Sequence, residues 1–407
     1  MPALSKASFL EHSHSSADPK LKNKRNDMRP ENYEAQRQPP SNEYELNFGP
    51  NHPGIEGNYA LKVKLHGDIV LEAKADGGYL HRGFEKLMEQ RLWIQNIALV
   101  PRICVPDPSP MELCYSMAVE ELCGLKVPQR AQWLRVMQLE LSRIAAHLFT
   151  FGGHAATTGM YSTMYWGVAD RDLLLDLFEE FTGGRVYSIY NIPGGVRREL
   201  PDGFLQRLTE TLDYIESRLP DYDNLFFKNQ VFVKRAKGTG VMSREQALEW
   251  GVTGPNLRAT GLAFDVRRDD PYLVYDQLEF DIPVEESGDA WARTLVRRKE
   301  LMESIRILRQ VVEILPDIHG PIRAPIPNPL AWNVPAGETY TRVESSKGEL
   351  CYYVVSNGGP KPYRVHVRGP SSMHAVQVLE KMSVGSRIED IAQTMFSLDA
   401  CPPEVDR

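Results

Sequence analysis

The sequence lacks the features that define several protein classes. No apolar run approaches the roughly 20 residues that a membrane-spanning helix needs, and the first residues do not have the charged, apolar and small-residue order of a signal peptide. Basic residues are not in excess: the net charge of −7 argues against a nucleic-acid-binding protein. Cysteines are few, and the five present are an odd number without the spacing of a disulfide framework, so we expect reduced thiols in a cytosolic compartment.

Phosphate-binding loops are also missing from the pattern. Gly152-Gly153-His154 and Gly238-Thr239-Gly240 lack the strand and helix context of nucleotide-binding loops. What is present is ordinary for a soluble globular protein, with 42% apolar and 25% charged residues over 407 positions. This length is sufficient for a sizeable core and suggests two or three structural units.

The apolar pattern predicts an α+β protein in four parts. The first part is polar, with almost no aliphatic side chains, and cannot bury enough apolar surface to offset the entropy of ordering. We expect a flexible arm there, either ordered by a partner or without a role. The predicted parts are the arm at residues 1–42, an α/β region at 43–99, a bundle of long helices at 100–335, and a C-terminal α/β region at 336–407 whose tail returns to the core.

Individual elements follow from the periodicity of apolar residues. Alternation on both sides of His66-Gly67-Asp68 predicts a β-hairpin, and a helix is expected from Leu80 to about Ala98. The remaining predicted elements are helices at 108–122, 128–151, 170–182, 203–219 and 291–315, strands at 348–356 and 363–368, and short helices at about 372–382 and 386–397.

Two short loops each place a thiol three residues before a carboxylate. Cys104 and Asp107 lie in a proline-rich stretch ahead of a predicted helix, and Cys401 and Glu404 lie near the last residue, again beside prolines. Two such loops at opposite ends of a long chain are candidates to converge on one site.

A set of short motifs runs through the chain from about residue 44 to the last residue. In order, they are Gly49-Pro50-x-His52-Pro53, Gly78-Tyr79-Leu80-His81-Arg82-Gly83-Phe84-Glu85-Lys86, Pro101-Arg102, Glu140-Leu141-Ser142-Arg143-x-x-x-His147-Leu148, Pro193-Gly194-Gly195-Val196, Leu257-Arg258-Ala259-x-Gly261, Gly348-Glu349-Leu350-x-Tyr352-Tyr353 and Val405-Asp406-Arg407. The combination resembles the quinone-site subunit of respiratory complex I (the NuoD type), a family related to the large subunit of [NiFe] hydrogenases.

The resemblance implies a fold and a role. The fold would be like that of the [NiFe]-hydrogenase large subunit: α+β, with a long central helix bundle, an N-terminal β-hairpin region and C-terminal strands. The role would be that of one subunit of an ion-translocating NADH (or other donor):quinone oxidoreductase, held peripherally on the cytoplasmic side of the inner (plasma) membrane. The implied partners are subunits of the NuoB, NuoC, NuoH and NuoI types. Electrons would pass from a terminal [4Fe–4S] cluster on the NuoB-type partner to a quinone in a shared pocket, and this chain alone would bind no cofactor.

Two residues match family positions near that cluster, and a third position differs from the family. Arg82 and Arg102 match arginines beside it, where a guanidinium group favours the reduced, more anionic cluster. Tyr187 stands where the family has a histidine that titrates with the cluster. The alternative for each arginine is a structural salt bridge.

The quinone-binding positions depart from the family pattern. His52 is kept, but Glu56, Val105 and Thr157 stand where the family has a second histidine, a tyrosine and an aspartate that bind or support the quinone headgroup. Reduction of a quinone to a quinol takes two protons, so these losses suggest a different headgroup geometry, a different acceptor or a moved proton supply. Glu56 is the candidate donor, with His52, because a carboxylic acid in a dry pocket has a raised pKa.

The two thiol loops fall where hydrogenases carry the paired cysteines that hold nickel and iron. Each loop keeps the first cysteine, Cys104 or Cys401, and has a carboxylate at the second, Asp107 or Glu404. Three interpretations remain open: buried packing without chemistry, a redox-active pair that forms a disulfide if the loops meet, and a mixed thiolate–carboxylate metal site. A complete [NiFe] centre is disfavoured because two of its four thiolates are missing.

Two other functions compete with quinone reduction. A divergent hydrogenase-like relative would use Cys104 and Cys401 for thiol, disulfide or metal chemistry, and a structural subunit would have no active pocket. Weaker candidates are expected to be structural: a hydrogen-bonded core His147, helix-packed side chains in Met160–Trp166, and a solvated or partner-facing acidic surface that includes Asp265.

Overall fold

Helices and strands form where the apolar pattern predicts them over most of the chain. The structure is a computed structural model that describes residues 42–52, 54 and 57–407. The predicted N-terminal arm, apart from residue 42, and Glu56 lie outside the described residues. Residues Glu45–Arg407 form one compact unit, which contains the hydrophobic core.

Eight strands form three small sheets within the described part of the chain. The strands are β1 (Glu43–Phe48), β2 (Ala60–His66), β3 (Ile69–Asp76), β4 (Asn191–Ile192), β5 (Gly195–Val196), β6 (Gly337–Ser345), β7 (Gly348–Ser356) and β8 (Arg364–Arg368). Their order in the sheets is β1-β2-β3, β4-β5 and β6-β7-β8.

Fourteen α-helices complete the described part. They are α1 (Phe84–Gln90), α2 (Ser109–Cys123), α3 (Gln129–Ala156), α4 (Tyr161–Thr182), α5 (Phe204–Tyr222), α6 (Gln230–Ala236), α7 (Arg244–Glu249), α8 (Gly254–Arg258), α9 (Val266–Asp269), α10 (Ala290–Ile314), α11 (Pro370–Ser372), α12 (Leu379–Ser383), α13 (Ile388–Leu398) and α14 (Pro402–Asp406). Among the described residues, no helix has both the length and the apolar composition that crossing a membrane requires.

The N-terminal hairpin forms as predicted, but the helix after it does not. β2 and β3 pair antiparallel around Gly67, whose φ of +62° is a left-handed conformation that glycine adopts at low cost. The predicted continuous helix is wrong, because α1 ends at Gln90 and a 3-10 helix covers Trp93–Ala98. The break has a tertiary cause: the buried Trp93 donates through Nε1 to the carbonyl of Gly359 (3.0 Å).

The C-terminal region has three strands where two are predicted from the sequence. β6 pairs antiparallel with β7 along its whole length, from Gly337 opposite Ser356 to Ser345 opposite Gly348. The first half of β6 is mostly exposed and polar, so it lacks a strong apolar alternation. Pairing with the buried β7 supplies the stabilisation that the composition of β6 lacks.

A network of buried charges joins α3 to α8, α10 and β6. His147 contacts Glu300 through Nε2 (3.1 Å), and Arg258 donates both to Glu300 (2.5 Å) and to Glu344 (2.8 Å). His147 is therefore a hydrogen-bonded core residue, as predicted. Asp265 is fully buried within 3.4 Å of Arg258, so its assignment to an acidic surface is wrong. Burial raises the pKa of each of these carboxyl groups, but the nearby guanidinium groups outweigh it at Asp265 and Glu300, whose pKa values are lowered. At Glu344 burial and the charge of Asp265 prevail and raise the pKa to about 7.

Candidate functional site

The two thiol–carboxylate loops meet in the structure. Cys104 follows the 3-10 helix Val100–Arg102, and Cys401 is the residue before α14. Both side chains are buried, and the thiols are near enough for each to shift the pKa of the other. Ser371 holds the second loop, because its hydroxyl accepts the backbone N–H of Cys401 (3.0 Å). The two ends of the chain therefore converge, with both cysteines as free thiols.

The two carboxylates of these loops have different surroundings. Asp107 is held at both oxygens, by the hydroxyl of Ser142 (2.7 Å) and by the backbone N–H of Ser346 (2.7 Å). Glu404 accepts the backbone N–H of Ser371 through Oε1 (2.9 Å). Its Oε2 has no hydrogen-bond partner among the residues that the structure describes, and the carboxyl group lies against the first thiol. Asp107 thus connects its own loop to the segments that carry Ser142 and Ser346, whereas Glu404 faces the thiol pair.

A buried lysine lies beside the second loop. Lys347, in the turn between β6 and β7, donates through Nζ to Oδ1 of Asp399 (2.6 Å) and to its carbonyl (3.1 Å). Thr150 of α3 donates to the same Oδ1 (2.9 Å), and Arg297 of α10 approaches Oδ2 (3.5 Å). The loop that carries Cys401 is therefore anchored to two long helices and to the C-terminal sheet.

Burial and these neighbouring groups give the two thiols different pKa values and raise that of the glutamate. Burial raises the pKa of Cys104 well above its usual range, and its hydrogen bond to Cys401 raises this pKa further. Burial would also raise the pKa of Cys401, but the hydrogen bond from Cys104 and the charge of Lys347 outweigh it, so this pKa is lowered. Burial raises the pKa of Glu404. Cys401 is therefore the more acidic thiol, and Glu404 holds its proton more tightly than an exposed carboxyl group does.

The two loops do not form a metal site. Among the described residues, no group of three or more His, Cys, Asp or Glu side chains is placed to hold an ion. Asp107 is committed to Ser142 and Ser346, so it does not complete a ligand set with the thiols. The mixed thiolate–carboxylate metal interpretation therefore does not fit these residues.

An apolar cavity of about 540 Å³ lies beside the thiols. Cys401 and Val105 line it from the two loops, and Met164 and Tyr165 line it from α4. Tyr165 is 66% exposed, so the prediction of core packing in Met160–Trp166 is wrong for this side chain, whereas Met160 and Trp166 do pack against the core. The cavity has few polar side chains, and one of them, Thr150, already donates to a carboxylate.

A second cavity of about 540 Å³ shares Met164 with the first. His52 and Thr157, two of the predicted acceptor-site residues, line it. Thr157 donates its hydroxyl to Gln393 (2.7 Å). Glu56, the predicted proton donor, lies outside the described residues. The predicted acceptor-site residues thus divide between two neighbouring cavities.

The residues predicted to face an iron–sulfur cluster lie together. Arg82 donates to the carbonyl of Arg102 (2.7 Å), and the guanidinium group of Arg102 lies 4.9 Å from the ring centroid of Tyr187. Arg82 also lies over the ring of Phe84 (4.4 Å). Within the described part of the chain, the contacts of both arginines are with carbonyl oxygens and rings rather than with carboxylates. The salt-bridge alternative therefore does not account for them.

Three residues around the thiols are not found by reasoning from the sequence. Lys347 lies in a Ser-Ser-Lys-Gly hairpin turn, where a lysine is normally exposed, yet it is fully buried. Asp399 precedes Cys401 by two residues, which is the one local signal of its role. Thr150 has an ordinary place on a helix, and only the tertiary structure brings it to Asp399.

Known proteins match almost the whole chain. Residues 157–332 and 330–407 match the family described as "Respiratory-chain NADH dehydrogenase, 49 Kd subunit". The D-type subunit of the NADH-quinone oxidoreductase of Thermosipho melanesiensis is 50% identical over 367 residues, which cover 90% of this chain and 100% of the relative. The D-type subunit of the F(420)H(2) dehydrogenase of Methanosarcina mazei is 38% identical over 376 residues, covering 90% of this chain and 98% of the relative.

A solved structure shows the same fold. A chain of the membrane-bound sulfane sulfur reductase (MBS), an archaeal respiratory membrane complex, is 50% identical and superposes with a TM-score of 0.87 over 89% of this chain and 98% of that chain. The predicted α+β fold is confirmed, and so is the resemblance read from the motifs. The chain belongs to the family of the 49 kDa subunits, also called the NuoD type, of respiratory-chain NADH dehydrogenase.

Proposed function

We propose that this chain is the acceptor-site subunit of a membrane-associated, complex I-like oxidoreductase. Its family and the nearly full coverage of its relatives support this role. The partners would be NuoB-, NuoC-, NuoH- and NuoI-type subunits on the cytoplasmic side of the membrane, with ion translocation in the membrane subunits. A cavity beside the converged loops and a second cavity next to it favour an active pocket over a purely structural subunit.

Electrons would reach the site from a [4Fe–4S] cluster held by the NuoB-type partner. That cluster would transfer electrons one at a time, and this chain would contribute positive charge near it. Arg82 and Arg102 suit this role, because carboxylates of the described chain do not neutralise them and positive charge stabilises a reduced cluster. Tyr187 has a phenol ring in place of the imidazole of the family, and this ring contacts the guanidinium group of Arg102.

The acceptor that the geometry supports best is a sulfane sulfur, as in a polysulfide. One observation carries this choice: the Cys401 thiol, in contact with Cys104, borders an otherwise largely apolar cavity in which Val105 replaces the headgroup donor of the family. A sulfur chain is apolar and polarisable, so it needs contact surface more than hydrogen-bond donors. The solved chain that is 50% identical belongs to a sulfane sulfur reductase.

A quinone is the second candidate acceptor, and the second cavity favours it. His52 and Thr157 line that cavity, and Glu56 would be the proton donor in place of the missing histidine. The Thermosipho relative is named as part of an NADH-quinone oxidoreductase.

Assays of the purified complex under anaerobic conditions test the choice of acceptor. The complex is given a low-potential reductant and either polysulfide or a short-chain quinone. Cys401→Ser should lower sulfide formation by about tenfold or more, which corresponds to roughly 1.4 kcal/mol of lost transition-state stabilisation. Cys123→Ser, which changes a cysteine outside the site, should not lower it.

The opposite pattern would assign the quinone. In that case His52→Gln and Glu56→Gln would lower quinol formation, and Cys401→Ser would leave it close to the wild-type rate. A wild-type complex that reduces neither acceptor would support the structural subunit instead.

A further inference from the structure

Reduction of either acceptor consumes protons as well as electrons, so the site needs a proton donor. A sulfur–sulfur bond that takes up two electrons and two protons gives two thiols, and a quinone gives a quinol. The cavity that borders Cys401 is lined mainly by apolar side chains. A donor must therefore act from beside the cavity rather than from within it.

Asp107 and Glu404 occupy the same place in their loops, three residues after a cysteine, and both are 1% exposed. They differ in their hydrogen bonds. Asp107 accepts two bonds of 2.7 Å, one at each oxygen, as expected for a carboxylate. Oε2 of Glu404 has no donor in the described part of the chain. Because a buried charged oxygen without a donor is costly, a protonated carboxyl group suits Glu404 and a carboxylate suits Asp107.

Glu404, the two thiols and the cavity are neighbours in that order. The carboxyl group is near enough to the Cys104 thiol, and that thiol near enough to Cys401, for each to shift the pKa of the next. Cys401 in turn lines the apolar cavity. Proton transfer along such a chain needs only small movements of each S–H or O–H group.

We propose that Glu404 is the proton donor of the acceptor site, acting through Cys104 and Cys401, whereas Asp107 is structural. This inference rests on the proposed function, since it requires an acceptor that is reduced beside Cys401. The O–H bond of Glu404 breaks as an S–H bond forms on Cys104. Cys104 passes its own proton to Cys401, and the proton of Cys401 bonds to the reduced, anionic acceptor. The electrons come from the iron–sulfur carrier of the partner. The solvent returns a proton to Glu404, and a second passage along the same route supplies the second proton.

The charged and titratable groups that face Glu404 agree with this role. Burial raises its pKa, and the backbone N–H and hydroxyl of Ser371, the charge of Lys347 and the Cys104 thiol lower it by less. The Cys104 thiol faces Glu404 from the first loop. Tyr352 of β7 also lies near Glu404, whose charge contributes to the raised pKa of Tyr352. The net effect is a raised pKa, so the donor form extends to higher pH than for an exposed glutamate.

Glu404→Gln tests the inference, with Asp107→Asn as the matched control. Both variants are assayed in the intact complex with polysulfide across the pH range. The wild-type rate should fall as pH rises through the pKa of Glu404, because only the protonated form donates. Glu404→Gln should lower the rate by roughly a hundredfold or more and remove this fall, while Asp107→Asn should keep it. A Glu404→Gln complex with the wild-type pH profile overturns the inference.

Alkylation of Cys401 by iodoacetamide, followed peptide by peptide over pH, adds a readout that needs no acceptor. Ionised Glu404 raises the pKa of both thiols, so Glu404→Gln should shift the onset of alkylation to lower pH. A shift without any change in the turnover profile would also overturn the inference, because Glu404 would then be only a charged neighbour. Failure of the proposed function is distinct from these results, since the wild-type complex itself would reduce no acceptor.

Discussion

Asp399 has a left-handed backbone conformation, with φ of +53°, where α13 ends and the Cys401 loop begins. Aspartate and asparagine tolerate this conformation better than most residues. The position lets one carboxylate accept from Lys347 and Thr150 while Arg297 approaches it. At the scale of single residues, the thiol loop is therefore held by one buried carboxylate.

Loss of the lysine should be costly unless the carboxylate is neutralised too. Lys347→Met removes one partner of a buried ion pair and should destabilise the protein by about 3–5 kcal/mol. Lys347→Met combined with Asp399→Asn should recover part of that loss, because asparagine keeps the left-handed conformation without a charge. Urea midpoints of this chain in the purified complex measure both variants, and strictly additive losses would contradict the expectation.

The helices α3 and α10 meet along a buried polar face. Besides the pairs around Glu300, this face includes His154, whose Nδ1 lies 3.0 Å from the Thr294 hydroxyl. Nε2 of His154 has no hydrogen-bond partner in the described part of the chain. Burial, followed by the charges of Arg297 and Arg293, lowers the pKa of His154 to about 3. At the scale of elements, the two helices therefore pack with a neutral imidazole between them.

This imidazole makes helix packing sensitive to acid. Because the folded pKa of His154 is about 3 and the unfolded value is about 6.5, the unfolded chain binds more protons between these values. Stability should therefore fall as pH decreases from about 6.5 towards 3. His154→Gln should reduce the slope in this window. Hydrogen exchange of α3 peptides at several pH values, corrected for intrinsic rates, measures the change, and an unchanged slope would contradict it.

At the scale of the whole molecule, we propose that one surface faces the iron–sulfur partner. Arg82, Arg102 and Tyr187 come from three separate segments and contact one another there. Because the carbonyl of Arg102, not its side chain, accepts from Arg82, a substitution at Arg102 leaves that contact in place. The charge of this surface can therefore be changed without removing the hydrogen bond that Arg82 donates, although the bond from the Arg102 side chain to the carbonyl of Ala98 is lost.

Arg102→Met should lower the midpoint potential of the cluster of the partner by tens of millivolts, because the cation that favours the reduced cluster is removed. A redox titration of the assembled complex, followed by the spectrum of the reduced cluster, measures the shift. Arg185→Met is the control, since Arg185 is paired with Asp172 and Asp176 on an exposed surface. Equal shifts in both variants would show that the effect is not local.

The sequence by itself determined the family, the hairpin at Gly67, the long helices and the two thiol–carboxylate loops. These features depend on neighbours within a few residues, so periodicity and motif order are sufficient to find them. It did not reveal β6, whose pairing with β7 compensates for its polar composition, or the break before Trp93, which depends on Gly359.

Only the tertiary structure shows which groups surround the side chains of the two thiol–carboxylate loops. Asp107 and Glu404 look equivalent in the sequence, yet Asp107 is held by Ser346, which lies 239 residues away, while Glu404 faces Cys104. Asp265 and Lys347 have the local pattern of surface residues but are buried against opposite charges. Hydrogen bonds and pKa values depend on which groups are nearby in space, and segments far apart in the chain supply those groups here.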